Sequence, residues 1–381
     1  MRRLISTVTL ALAAGVALVG CGTVHAGQSS QTGRAGLGAA QAMTGAPPLD
    51  AALVTDRFGW VLTPDRLLVT EDGGVSFREV RLPLAPGSSR AVQFRDRNHG
   101  TAVSGELGAI TVARTSDGGR TWTTKRIRET ATASPVEFGR MQVAFGDSSD
   151  GMIMARWVTS SAFSEGTVFT TTNAGRSWQA RRAPAGGQVA VEPGGRSWLA
   201  GGVVGDRLYR SDDLGGHWSR ARLDLADAVD SATVSVPVGG ALPVTVVNGG
   251  KTQVALLRSA DGGRSWQETG RTAVRGLTSA GVAVPVAATT TGALVIDTAG
   301  GHAYRATGPA VADGGADLRP SGLPEGVYQA RFATGLAGWA LSTRGQCTNG
   351  KQNCALVHTL LGTTDGGVSW RPLLRWDEPL N

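Results

Sequence analysis

Aromatic side chains are scarce in this 381-residue chain, at 6% of the total, and signals for helix starts and stops are nearly absent. With 41% hydrophobic residues and 55 glycines, that balance speaks against long amphipathic helices and suits many short strands joined by turns. The five histidines stand singly, so no metal or proton-transfer grouping is built from them. Lysine is almost missing: arginine supplies all but three of the 37 basic residues. The one sustained apolar run, residues 4–18, is too short to span a bilayer comfortably. Cysteine occurs three times only, at 21, 347 and 354.

What is there begins with an export signal. Arg2 and Arg3 precede the apolar run, as in a secretory leader. The run ends in Leu18, Val19, Gly20 and Cys21, which resembles the lipobox of bacterial lipoproteins. That resemblance implies a signal peptide over 1–20 and a lipidated Cys21 as the new N-terminus, its thiol carrying the lipid thioether. Cleavage after Ala26 without lipid is the alternative, since Val24, His25 and Ala26 loosely fit a small-residue site. Residues 21–48 are rich in Gly, Ser, Ala, Gln and Thr, have no apolar periodicity, and read as a flexible tether reaching on the order of 30 Å. An extracytoplasmic location, with the body at 49–381 held to the cell membrane through the N-terminal lipid, follows as the expectation.

Setting Cys21 aside leaves Cys347 and Cys354 in a disulfide-permissive compartment, where two cysteines make one bridge. They flank a polar segment, 348–353, that reads as a loop between two strands, so the bond would staple its base. A metal site is the other possibility, but only His358 lies near and four ligands cannot be assembled.

An internal repeat organises the rest. Ser/Thr-x-Asp-x-Gly-x-x-Trp stands intact at Thr115, Asp117, Gly119, Trp122; at Ser211, Asp213, Gly215, Trp218; at Ser259, Asp261, Gly263, Trp266; and at Thr363, Asp365, Gly367, Trp370. Two variant copies end in Phe77 after Asp72 and in Trp178 after Asn173. Glycine supplies positive φ for a tight turn, the Asp and Ser/Thr side chains bond the turn's own amides, and the aromatic buries its ring beneath. The final aromatics are 45, 56, 40, 48 and 104 residues apart, and the last gap is two periods. A worn seventh copy is expected over 297–304, ending in Tyr304. A second element, a polar turn before an alternating apolar segment, recurs at 56–62, 94–103, 145–154, 191–200 and 332–341. Each period then holds about four strands of 4 to 7 residues, the content of a propeller blade.

The repeat resembles the Asp-box, or bacterial neuraminidase repeat, from about residue 50 to the end. The resemblance implies an all-β propeller, seven blades of four antiparallel strands, with the box residues structural and lying away from any catalytic centre. Sialidase catalytic residues do not carry over. Only Tyr209, Tyr304 and Tyr328 are available as tyrosine nucleophiles; Tyr209 leads into a box and Tyr304 takes a box aromatic position. Phe77, Arg78, Glu79 and Val80 depart from the Phe-Arg-Ile-Pro motif after two residues. The related xyloglucan-cleaving glycosidases need two facing carboxylates, and Asp96, Asp147 and Glu192 fall at repeat-equivalent turns, which favours turn chemistry. Among non-enzymes the chain resembles photosystem II assembly factors and, more distantly, sortilin ectodomains, both binding propellers.

Arginine clusters just after the box aromatics: Arg78 and Arg81; Lys125, Arg126 and Arg128; Arg181 and Arg182; Arg220 and Arg222; Arg371 and Arg375. Long charged side chains keep an open sheet edge from pairing with other sheets; a basic rim also suits anionic headgroups or acidic envelope polymers. Loss of Arg2 and Arg3 lowers the net charge from +7 to +5. No aromatic-basic stacking motif points to nucleic acid. The reading is a monomeric envelope lipoprotein that binds a protein or glycan, without cofactor or metal; the alternative is an extracellular glycan hydrolase.

Overall fold

A strand of four to seven residues with both faces apolar cannot stay soluble alone; it needs hydrogen-bonded neighbours at its sides and a covering sheet on each face. The computed structural model describes residues 40–87, 89–158, 165–201, 207–237, 241–273, 286–289, 292–296, 303–307, 319–320, 324, 326–348 and 353–378. They contain strands and turns and no helix.

The strands form seven sheets of four or five, taken in chain order. In the first, Asp50–Leu53, Gly59–Leu62, Leu67–Thr70 and Arg78–Val80 pair antiparallel in succession. The others occupy 90–128, 138–182, 189–220, 222–273, 286–320 and 327–378. First strands approach one another between blades two and three, three and four, six and seven, and seven and one, which sets them innermost. The chain is an all-β propeller, and its seven sheets fit the blade number that the repeat spacing implied.

The core lies between blades. Leu62, Leu67 and Val69 of blade one meet Val92, Phe94 and Ala113 of blade two; Val103 and Ile110 meet Met141, Ile153 and Phe169 of blade three. Because neighbours cover both faces, all four residues of Leu67–Thr70 are buried. Ring closure joins Leu53, Val61 and Leu68 to Trp339, Leu374 and Trp376 of blade seven. Trp60, next to Val61, points into blade two, because side chains one residue apart on a strand take opposite faces.

Two blades carry a fifth strand. Gln41–Met43 runs parallel to the last strand, Arg371–Glu378, pairing Gln41 with Leu374 and Met43 with Trp376. This strand lies inside the stretch expected to stay a flexible tether. The outer edge of blade seven offers unpaired backbone groups, Met43 packs on the closing cluster, and Arg66 donates to the Thr44 carbonyl at 2.6 Å. Arg222–Asp224 does the same on blade five, parallel to Ser265–Ala273.

In blade six the strand order corrects one expectation. Residues 297–302 themselves lie outside the described residues, but they connect Gly292–Ile296 to Ala303–Thr307, the second and third strands. Every other copy of the repeat joins a third strand to a fourth, so Tyr304 sits in a third strand and not at a box aromatic position. A Gly-rich turn followed by an aromatic does not by itself say which hairpin it closes.

Candidate functional site

The six repeat turns share one geometry. In the copy ending in Trp122, the Thr115 hydroxyl donates to Asp117 at 2.7 Å and accepts from the Gly119 amide at 2.9 Å. Asp117 also accepts from the Thr121 hydroxyl and amide, and these bonds, the Thr121 hydroxyl first, hold its carboxyl well below the usual carboxylate range. Asp261 is held low in the same way, by the Ser265 amide first and then its hydroxyl. Asn173 keeps the pattern by accepting from the Ser177 amide and donating to its hydroxyl. The Trp122, Trp178, Trp266 and Trp370 indoles donate to the carbonyl of their own box glycine at 3.1 to 3.2 Å. Trp218 is the exception: its ring nitrogen is buried without a partner.

Two consecutive residues of each turn take positive φ, Gly118 and Gly119 at 72° and 85° for example. In two copies the first of them is not glycine: Ala174 has φ 59° and Leu214 has φ 53°. Such a position costs a residue with a Cβ about 1 kcal/mol or more.

The same face carries the turns between first and second strands. Asp96 accepts from the amides of Asn98 and His99, and Asp147 from those of Ser149 and Asp150. These bonds, Asp150 first, lower the Asp147 carboxyl to about 2. Glu192 accepts from the Trp198 indole at 2.7 Å. The repeat-equivalent carboxylates thus cap turns or hold an indole. Arginines tie neighbouring blades together: Arg78 donates to the Gly118 carbonyl at 2.7 Å and Arg210 to that of Gly262 at 2.8 Å.

Toward the central mouth, the seven inner strands bring a single carboxylate, Asp50. It is engaged by Arg331 at 2.9 Å and the Gln329 amide at 2.6 Å. Gln142 exchanges two hydrogen bonds of 3.0 Å with the Val189 backbone, and Gln329 reaches the Ala51 carbonyl at 3.0 Å, so glutamine side chains clasp adjacent inner strands. Burial, reinforced by Asp50, pushes the Tyr328 phenol up, away from nucleophile chemistry at neutral pH.

A different chemistry collects on the outside, between the last strands of blades two and three. A groove of about 590 Å³ is lined by Lys125, Arg126, Arg128, Ile127, Trp178 and Ala180, among others. The strand Thr123–Arg128 is exposed along nearly its whole length and ends its sheet. Lys125 reaches across to the Arg176 carbonyl at 3.3 Å, and Arg126 pairs with Glu106 at 3.0 Å. Arg181 and Arg182 continue the positive charge on blade three, Arg182 meeting Glu165 at 2.6 Å. The sequence named these cations and read them as guards of an open edge, but gave no sign that they border a groove with an indole in it.

Of the other expected site residues, Cys21 lies outside the described residues. Cys347 and Cys354 fall directly opposite each other in the ladder between Gly338–Thr348 and Asn353–Thr363. Among the described residues no three His, Cys, Asp or Glu side chains come together as a metal site, and no helix is long and apolar enough to cross a membrane.

No protein-family model matches the chain, and no curated protein does. Solved structures do. YCF48 bound to D1 peptide is 19% identical over 77% of this chain and 84% of its own, at TM-score 0.44. YCF48 from Cyanidioschyzon merolae is 18% identical over 77% and 87%, at 0.47. Kluyveromyces lactis Hsv2 is 11% identical over 88% and 98%, at 0.48. At such identities and scores none of them says what this chain binds.

Proposed function

We propose that this chain is an exported lipoprotein, tethered to the cell membrane through Cys21, whose Asp-box propeller acts as a binding scaffold at the envelope. The observation that carries the binding role is the contrast in charge and exposure between mouth and rim. The one carboxylate on the inner strands is already engaged by Arg331 and Gln329, while Lys125, Arg126 and Arg128 border a groove with an indole in it. Indole, aliphatic surface and cations side by side are the components of a protein-binding surface, with apolar contact for affinity and charge for selection. Export and anchoring rest on the sequence: two arginines, an apolar run, and Cys21 in lipobox context.

Fractionation tests the anchor and crosslinking tests the scaffold. Cys21→Ser is expected to leave the membrane fraction for the medium or to accumulate unprocessed; mature protein still bound to membrane would contradict lipid anchoring. Crosslinked envelopes are expected to yield a protein partner captured in stoichiometric amount, whereas glycan turnover by the purified chain would replace the scaffold with a hydrolase.

A further inference from the structure

Among the described residues the propeller covers two of its outer edges by strand addition. Gln41–Met43 lies parallel on blade seven and Arg222–Asp224 parallel on blade five. Among the described residues no strand covers the edge of blade two, although Thr123–Arg128 is six residues long, about 20 Å of continuous strand. The Glu129 amide donates inward to the Gly108 carbonyl. By the alternation of an antiparallel ladder, the amides of Thr123, Lys125 and Ile127 point the same way, and those of Thr124, Arg126 and Arg128 point out of the sheet.

The side chains alternate as well. Lys125 reaches the Arg176 carbonyl, which turns the face of Thr123, Lys125 and Ile127 toward blade three, where Trp178 and Ala180 line the groove. The opposite face carries Arg126 and Arg128, with Glu106 the one carboxylate paired there. A cationic edge repels basic and deters neutral strands, and it complements an acidic one. The chain's own residues 22–40 contain no Asp or Glu and so do not supply that complement.

From these placements we propose that the outer edge of blade two is a strand-addition site for an extended acidic segment of a partner protein. Resting on the scaffold reading, this names the class of ligand and the place. Side chains of the added strand beside Arg126 and Arg128 are acidic, and the alternate ones, lying toward Trp178, are apolar. Main-chain bonds to the outward amides fix the strand, and the alternation selects the sequence.

The test uses the full chain and a fluorescein-labelled octapeptide of alternating glutamate and valine. Micromolar binding is expected. N-methylation of alternate peptide amides, which spares charge and removes pairing, is expected to weaken it at least about tenfold, as are Arg126→Glu with Arg128→Glu. Thr124→Pro removes one outward amide while leaving every ladder bond within the blade, and is expected to act likewise. Equal binding by the N-methylated peptide or by polyglutamate would reduce the site to bulk charge and overturn the proposal. Binding of phosphatidylglycerol vesicles that depends on Arg126 and Arg128, with no peptide binding, would assign the edge to a membrane and overturn it too. An envelope partner still captured by the Arg126→Glu, Arg128→Glu chain would refute the edge as its site while leaving the scaffold standing.

Discussion

Blade seven ends in a strand with three buried residues and blade two in one with none, and the two meet opposite fates. The last strand of blade seven, Arg371–Glu378, mixes signs, pairs Arg375 with Asp377 at 2.8 Å, and is covered by the chain's own Gln41–Met43. The last strand of blade two, Thr123–Arg128, carries three cations and no acid and, among the described residues, has no strand over its edge. An uncharged strand of the chain lies on the balanced edge of blade seven, and among the described residues none lies on the cationic edge of blade two. The basic rim is therefore not uniform. Where it coincides with an uncovered edge it becomes a selective surface.

The largest effect that sharpens this comparison comes from the indoles under the two regions. Trp370 of blade seven is 7% exposed and donates to the Gly367 carbonyl, so Trp370→Ala is expected to cost about 3 to 5 kcal/mol in denaturant unfolding. Trp178, at the open groove, is only half-buried, and Trp178→Ala is expected to cost roughly half as much. Equal losses would mean that the groove is as closed as the seam. Trp218, half-buried and without an acceptor for its ring nitrogen, belongs with Trp178 and not with Trp370.

Next in size is the effect of the bond expected between Cys347 and Cys354. Cys347 and Cys354 are register partners, which sets their Cα atoms at about 4.5 to 5.5 Å, within disulfide range. Intact mass is expected to rise by two hydrogens on reduction, with a loss of about 2 kcal/mol and the propeller still folded. Two alkylatable thiols in unreduced exported protein would contradict the bond.

On the acid side, the Asp147 carboxyl is lowered to about 2 by the Asp150 and Ser149 amides. A folded value below the unfolded one of about 3.9 means that its stabilisation is complete above about pH 4 and is lost as pH falls toward 2. Melting of Asp147→Asn is expected to be lower than wild type at pH 7 and to converge on it at low pH. A constant difference across that window would count against the turn-capping role.

The smallest effect is a gain. Ala174, at φ 59° in the turn that carries Trp178, gives up backbone strain on replacement, so Ala174→Gly is expected to stabilise by about 0.5 kcal/mol once the extra freedom of the unfolded glycine is set against it. A loss of stability would show that the left-handed alanine is held by contacts worth more than its strain.

Much of the fold was legible because a turn that must satisfy its own amides leaves a fixed pattern, and six copies of it fixed the period. Asp117, Asp213 and Asp261 do in the structure what their spacing implied. Pairing partners remote in sequence were not legible. Nothing in Gln41, Ala42 and Met43 announces a parallel partner more than three hundred residues away, since an edge strand needs little beyond free amides and one apolar side chain. The same gap hid the groove: Lys125 was visible as charge, but its juxtaposition with Trp178 depends on which blades are neighbours. The worn copy at 297–304 was misplaced for a related reason, because glycine and an aromatic mark a hairpin without ranking it in its blade.

Amide hydrogen exchange followed by NMR tests the open edge most directly. The amides of Thr124, Arg126 and Arg128 are expected to exchange orders of magnitude faster than those of Thr123, Lys125 and Ile127, and also faster than every amide from Leu374 to Trp376 beneath Gln41–Met43. Protection of Thr124, Arg126 and Arg128 equal to that of Leu374 to Trp376 would mean that the edge of blade two is already occupied, and would contradict the account.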